Sequence, residues 1–271
     1  KDTLVIAISQ SGETIDTLEA LKYARKCGAP GISIVNVRGS SIAEASEHVL
    51  YTHAGPEIAV ASTKAYTTQL AVLYLITARM AVARGLWDEE TLTAYMNELQ
   101  RVPKVMEEVL AKKQEIHRMA GMLLNASDVF MIGRGLDYSI LLEGSLKLKE
   151  VSYIHSEAYA SGELKHGTIA LITEETPVIA VVTQDKLKSK ELSNIKEVQS
   201  RGAKVILLIK GEEIPEQEKI WNSIFRLPVM ADEFMVMPAS VVLQLIAYYV
   251  SADKGLDVDK PRNLAKVVTV E

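Results

Sequence analysis

Glu143, Lys147 and Glu150 stand at positions i, i+4 and i+7 of a run that reads as helix, so two carboxylates and an amine share one stripe. A carboxylate beside a lysine near the end of a sheet can move a proton between carbon and oxygen of a sugar. The same spacing fits a solvated ladder of ion pairs, its commoner use, worth about 0.2–0.5 kcal/mol per pair. Ser9-Gln10-Ser11-Gly12-Glu13-Thr14 offers different chemistry. Three hydroxyls, an amide and a glycine turn with free backbone N–H groups are donors suited to a phosphate. The segment has no lysine and no G-x-G-x-x-G, so it is neither a P-loop nor a dinucleotide fingerprint. Capping of the following helix by Ser11 or Thr14 accounts for hydroxyls here equally well.

Three further places hold side chains that could react. His166 sits between glycines in Gly162-Glu163-Leu164-Lys165-His166-Gly167, where an imidazole can transfer protons near neutral pH or simply occupy the surface. His117, by contrast, falls on a charged helix, and His48 and His53 adjoin a short strand. Val60-Ala61-Ser62-Thr63-Lys64 opens a long helix to Arg84, which Ser62 or Thr63 could cap. Lys266, in Asn263-Leu264-Ala265-Lys266, reads on its own as a solvated tail lysine.

These residues need elements to hold them, and a repeat supplies the plan. Thr3-Leu4-Val5-Ile6-Ala7-Ile8 recurs as Thr176-Pro177-Val178-Ile179-Ala180-Val181, both reading as buried strands. Each leads into a polar loop, then a helix ending at Gly28-Ala29 or Gly202-Ala203, then a second apolar strand at 32–35 or 205–209. Gln69-Leu70-Ala71-Val72-Leu73-Tyr74 matches Gln244-Leu245-Ile246-Ala247-Tyr248-Tyr249, both on apolar helices of the buried kind. The second copy also has a preceding strand at 129–132, closed by Gly133-Arg134-Gly135, and a helix near 138–154, whose Leu142 and Leu146 are expected to face the core. Alternating strands and helices imply an α/β fold of two similar units, each a parallel sheet flanked by helices, with the first lacking its start. The expected boundaries are 1–86 for the first, incomplete unit, 87–124 for connecting helices broken near Pro103, 125–254 for the second, and 255–271 for a tail. Where the first copy has its hydroxyl loop, the second has Thr183-Gln184-Asp185-Lys186, so the hydroxyls are not a demand of the fold itself.

Composition narrows the class. The chain of 271 residues is 48% hydrophobic and 24% charged with a net charge of −5, which disfavours a disordered tail or a basic nucleic-acid arm. Cys27 is the only cysteine, so neither a disulfide framework nor a cysteine-based metal site is expected, and a cytoplasmic setting fits. Residues 234–252 carry no charge and are long enough to span a bilayer. Pro238, Ser240 and Gln244, and the absence of flanking basic clusters, make this a buried helix instead, and no membrane role is expected. The chain begins at Lys1 without a signal peptide and reads as a fragment.

Taken in order, Ser9-Gln10-Ser11-Gly12-Glu13-Thr14, Val60-Ala61-Ser62-Thr63-Lys64-Ala65, Lys147-Leu148-Lys149-Glu150, Gly162-Glu163-Leu164-Lys165-His166-Gly167 and Pro261-Arg262-Asn263-Leu264-Ala265-Lys266 resemble the isomerase half of the glucosamine-6-phosphate synthases, the glutamine:fructose-6-phosphate amidotransferases. The likeness covers nearly the whole chain and implies two sugar isomerase (SIS) domains. It implies that Ser9, Gln10, Ser11 and Thr14 hold the substrate phosphate and that Val60, Ser62 and Ala265 contact the sugar. Glu150 matches the family's base, which moves hydrogen from C1 to C2, and Lys147 a lysine assisting at the sugar oxygens. His166 matches a ring-opening histidine that reaches the other subunit's site, which implies a homodimer. Lys266 matches a tail lysine proposed to form an imine with the open-chain ketose. Two family features are missing: the N-terminal glutaminase domain, whose terminal cysteine nucleophile Cys27 cannot replace, and a Cys-Gly-Thr-Ser-type loop that completes the phosphate site.

The resemblance thus implies conversion of fructose 6-phosphate and glutamine-derived ammonia to glucosamine 6-phosphate, with no metal or organic cofactor and no nucleic-acid partner. A plain sugar-phosphate isomerase and a non-catalytic regulatory module that binds sugar phosphate are the alternatives. A regulatory module should lack Glu150 and Lys147; a glutaminase at the native N-terminus separates the amidotransferase from the isomerase.

Overall fold

The computed structural model describes residues 3–211, 214 and 219–266. Two compact units divide them, one of residues 3–96 with 262–266 and one drawn from 97–261.

In the first unit, β1 (Val5–Ser9), β2 (Gly31–Val35) and β3 (His48–Tyr51) form a parallel sheet in that order, with Ser9 opposite Val35. Helix α1 (Ile15–Lys26) follows the hydroxyl loop and buries Leu21 against Ala7, Val35, Ile42 and Ala43. The last two belong to the short helix α2 (Ser41–Ala45). Helix α3 (Lys64–Ala83) is apolar along its length, yet only Ala65 and Ala78 are buried. It therefore does not share the burial that its match in the second copy suggested, because a three-stranded sheet offers it little surface.

Helix α4 (Glu89–Ala111) contains Pro103 without breaking there, and the chain turns instead at Lys112 before α5 (Lys113–Gly121). Proline removes one intrahelical hydrogen bond, but Val102, Val105 and Val109 keep one apolar face buried across it, so packing holds the helix together.

The second unit holds β4 (Asp128–Gly133), α6 (Leu136–Ser152), β5 (His155–Ala160), α7 (Ser161–Leu164), β6 (Pro177–Val182), α8 (Lys188–Gln199), β7 (Lys204–Lys210), β8 (Ser223–Leu227) and α9 (Val236–Asp253). Its strands are parallel in the order β5-β4-β6-β7-β8. Residues 178–182 and 205–210 are buried throughout, as expected for central parallel strands covered on both faces. After β4 the chain pairs outward on one side, and after β6 on the other, which opens a crevice at their carboxyl ends.

Residues 232–253 are long and apolar enough to cross a membrane, but 78% of their apolar window is buried inside the protein. Helix α9 lies against α5 and α6 as a core helix. On α6 the buried leucines are Leu141 and Leu148, whereas Leu142 and Leu146 are 49% and 44% exposed, contrary to expectation. The buried stripe runs through Ile140, Gly144, Lys147 and Val151, with Gly144 against Leu243 of α9, one position away from the leucines chosen by periodicity.

Candidate active site

The loop from β1 to α1 is built around its own hydroxyls. Ser9, 6% exposed at the end of β1, accepts the Gly12 N–H at 3.0 Å and shares a proton with Thr14 Oγ1 at 3.0 Å. Ser11 Oγ accepts the Glu13 N–H at 3.2 Å. An oxygen that accepts a backbone N–H still has its own proton to donate, so the Ser11 hydroxyl can point at an anion. Thr14 occupies the N-cap position of α1 without capping it, which removes the bland explanation for this hydroxyl.

Gly12 makes the loop geometry possible. Its φ of +69° is one that L residues seldom adopt, and a Cβ there would lie 2.0 Å from Ser40 Oγ. The neighbouring Glu13 accepts from Ser41 Oγ at 2.7 Å and from Ser41 N at 2.9 Å, and these bonds hold its carboxyl below the usual range. The loop is thereby tied to the start of α2.

A cleft of about 620 Å³ adjoins the loop, lined among others by Gln10, Ser11, Arg38, His53, Glu57 and Lys266. The tail residue Lys266 is far from solitary. Its Nζ donates to Ala59 O at 2.8 Å, Val60 O at 3.4 Å and Ser62 Oγ at 3.1 Å, and lies 3.5 Å from Glu57 Oε2. Thr63 is the N-cap of α3 but makes no side-chain cap, and Ser62 faces the lysine. Val60, Ser62 and Lys266 are therefore brought together, whereas Ala265 is exposed. Sequence reasoning did not select Glu57, whose side chain is 4% exposed and whose Oε1 accepts the Thr63 N–H at 2.7 Å. Its only local signal is a charge inside Gly55-Pro56-Glu57, a turn between strand and helix. A neighbouring cation or deep burial favours the neutral amine that imine chemistry needs, whereas the charged neighbour of Lys266 is the Glu57 carboxylate.

In the second unit, Lys147 is 5% exposed, with Nζ 2.5 Å from Glu150 Oε2 and 3.6 Å from Glu143 Oε1. A solvated ladder would leave the lysine in water, and it is not. Burial, reinforced by repulsion from Glu150 and opposed by attraction to Lys147, raises Glu143 above the usual carboxyl range. The arrangement can hold and pass a proton between one amine and two carboxylates. His166 is exposed in the turn after α7, with its backbone N–H bonded to Glu163 O at 3.0 Å.

Comparison with known proteins agrees with this architecture. The SIS domain family matches residues 1–79 and 122–253. The glutamine–fructose-6-phosphate aminotransferase (isomerizing) of Clostridium acetobutylicum is 51% identical over all of this chain, and its counterpart in Thermus thermophilus is 46% identical over 99%. The chain spans only 44% of the length of either relative. Among solved structures, the C-terminal domain of glucosamine-fructose-6-phosphate aminotransferase from Francisella tularensis superposes with a TM-score of 0.90 at 38% identity, covering 96% of this chain and 76% of its own. With the match running through both sheets and the helices that flank them, the chain belongs to the SIS domain family.

Proposed function

We propose that this chain is the sugar-isomerising part of an enzyme that makes glucosamine 6-phosphate from fructose 6-phosphate and ammonia released from glutamine. The observation that carries the proposal is the buried Lys147 amine in contact with the partly buried Glu150 carboxylate, which a module that only binds sugar phosphate does not need. Likeness along this chain, which spans 44% of the length of proteins named for this reaction, supports the choice of substrate.

In this reading, the Ser9, Ser11 and Thr14 hydroxyls and the N–H groups at the start of α1 bind the sugar phosphate, with Gln10 adding its amide. Val60, Ser62 and Ala265 flank the sugar. His166 passes a proton to the ring oxygen as the ring opens to the ketose. Lys266, next to Ser62, condenses with the C2 carbonyl and releases water, and ammonia then adds at C2 and expels the lysine amine, giving an iminium. Glu150 then takes a proton from C1, leaving an enolamine with a C1–C2 double bond, and returns it to C2 as the C1 hydroxyl gives up its proton and becomes the aldehyde. Lys147, touching Glu150, carries the proton lost or gained at the sugar oxygens.

The working enzyme in this proposal is a cytoplasmic homodimer, with the partner subunit's His166 serving each site; the exposure of His166 supports the shared site, and the free, exposed Cys27 supports the cytoplasmic setting. The test is product formation by the intact protein. Glucosamine 6-phosphate should form from fructose 6-phosphate only with glutamine or ammonia present. Glucose 6-phosphate formed at the same rate without either nitrogen source would make the protein a plain isomerase.

A further inference from the structure

The crevice between β4 and β6 holds a polar cluster that the chemistry above does not use. Glu191 on α8 and Ser161 at the start of α7 are each 1% exposed, and Ser161 Oγ donates to Glu191 Oε1 at 2.6 Å. The other carboxylate oxygen is buried without a hydrogen bond among the described residues, with Arg134 Nε 3.7 Å away. Arg134 is itself held: its Nη2 and Nε donate to Asn194 Oδ1 at 2.6 and 3.1 Å, and its carbonyl accepts from Gln184 Nε2 at 2.7 Å. The guanidinium lies against the first turn of α7, where a Cβ on Gly162 would come within 3.0 Å of Nη2.

The same turn is pinned at its other end by Leu164, 2% exposed in the core with Phe130, Ile132 and Val178. Two residues later comes His166, on the surface. A buried carboxylate is costly to keep, and an apolar residue could fill this part of α8. What the carboxylate adds is direction, since it accepts one particular hydroxyl while facing a cation that is fixed from behind.

We propose that Glu191, together with Arg134, is a positioning residue: it clamps Ser161 and so fixes the 161–167 segment in the one arrangement from which His166 transfers its proton. This rests on the ring-opening role of His166 proposed above.

A double-mutant cycle in the intact protein tests it. His166→Ala should first be shown to lower kcat for fructose 6-phosphate; unchanged turnover would remove the role of His166 and with it the basis of the clamp. Ser161→Ala, which deletes one hydroxyl and should fold normally, and Glu191→Ala should each lower kcat by about tenfold to a hundredfold, the loss that misplacing a catalytic group by an ångström can bring. Glu191→Gln, which keeps an acceptor for Ser161, should recover most of the rate. In the His166→Ala background, Ser161→Ala and Glu191→Ala should have almost no further effect. Losses of equal size in both backgrounds, with His166→Ala itself impaired, would show that the cluster merely supports the fold and would overturn the proposal.

Discussion

Replacing Gly12 by alanine puts a methyl group where the structure has none to spare. Two costs follow from the geometry. Holding a non-glycine residue at a φ of +69° costs about 1–2 kcal/mol. The new Cβ would also sit 2.0 Å from Ser40 Oγ and 2.5 Å from Ser40 Cβ, so Ser40, only 2% exposed, must be displaced. Overpacking of this kind costs about 1–3 kcal/mol. Gly12→Ala should therefore destabilise the first unit by about 2–5 kcal/mol, a large part of an ordinary domain's 5–15 kcal/mol. Ser40 makes the two parts separable. Its hydroxyl is buried with no hydrogen-bond partner among the described residues, and as N-cap of α2 it makes no side-chain cap. Ser40→Gly alone should cost little, and in its presence Gly12→Ala should cost only the backbone part, about 1–2 kcal/mol. Urea unfolding of the four proteins, with unchanged m-values, measures this directly. Fructose 6-phosphate affinity, by calorimetry, should fall with Gly12→Ala and partly return in the double variant. Strict additivity of the two substitutions would refute the contact; an unchanged affinity would refute the loop as the phosphate site.

Glu150→Gln should slow exchange of the C1 hydrogen with solvent by about 10²–10⁴-fold, the usual contribution of a positioned base, while sugar-phosphate affinity holds; exchange at the wild-type rate by NMR would exclude Glu150 as the base. Borohydride reduction in the presence of fructose 6-phosphate should trap the sugar on Lys266, and Lys266→Arg should lose that adduct; mass spectrometry finding it on Lys147 instead would reduce Lys266 to a contact residue. The pH dependence of stability should carry the mark of two buried carboxyls. Burial raises Glu191 to about 7, helped by Asp137 and opposed by Ser161 and Arg134, and raises Asp137 to about 6 despite its bonds to Thr183 and Gln184. Both bind protons more tightly folded than unfolded, so stability from these groups is fully present below about pH 4 and is lost as pH rises toward 7. Glu191→Gln should flatten that slope in denaturant titrations between pH 4.5 and 7, and a slope unchanged by the substitution would contradict the assignment.

Legibility in the sequence followed how local each signal was. Strands β1, β2, β6 and β7 were readable because each is an apolar run bounded by turns. Strands β5 and β8 went unread: of His155–Ala160 only Ser156 is buried, so no apolar run marks β5, and in β8 the buried Phe225 and Leu227 alternate with Ser223, Ile224 and Arg226 in a run of only five residues. Pro103 suggested a break because the loss of one hydrogen bond is a local fact, whereas the buried valines that span it are a tertiary one. The leucines of α6 were assigned to the wrong face because the helix is apolar on more than one side, and composition alone does not say which side meets α9.

The catalytic candidates divide in the same way. Glu143, Lys147 and Glu150 could be placed on one stripe from spacing, since a helix brings residues three and four apart together whatever surrounds it. Whether that stripe is in water or buried was decided by the packing of α6, and the 5% exposure of Lys147 is a property of the folded unit alone. The hydroxyl loop was visible as a cluster of residue types, but only the approach of Ser40 explains why its turn must be glycine. Lys266 and Val60 are 206 positions apart, and Ser161 and Glu191 are 30 apart. No periodicity links such pairs, because a contact across the fold depends on where several elements end in space. The amino-acid sequence by itself determined the order of elements and the chemical groups at their ends; which of those groups touch was left to the closing of the sheets and the return of the tail.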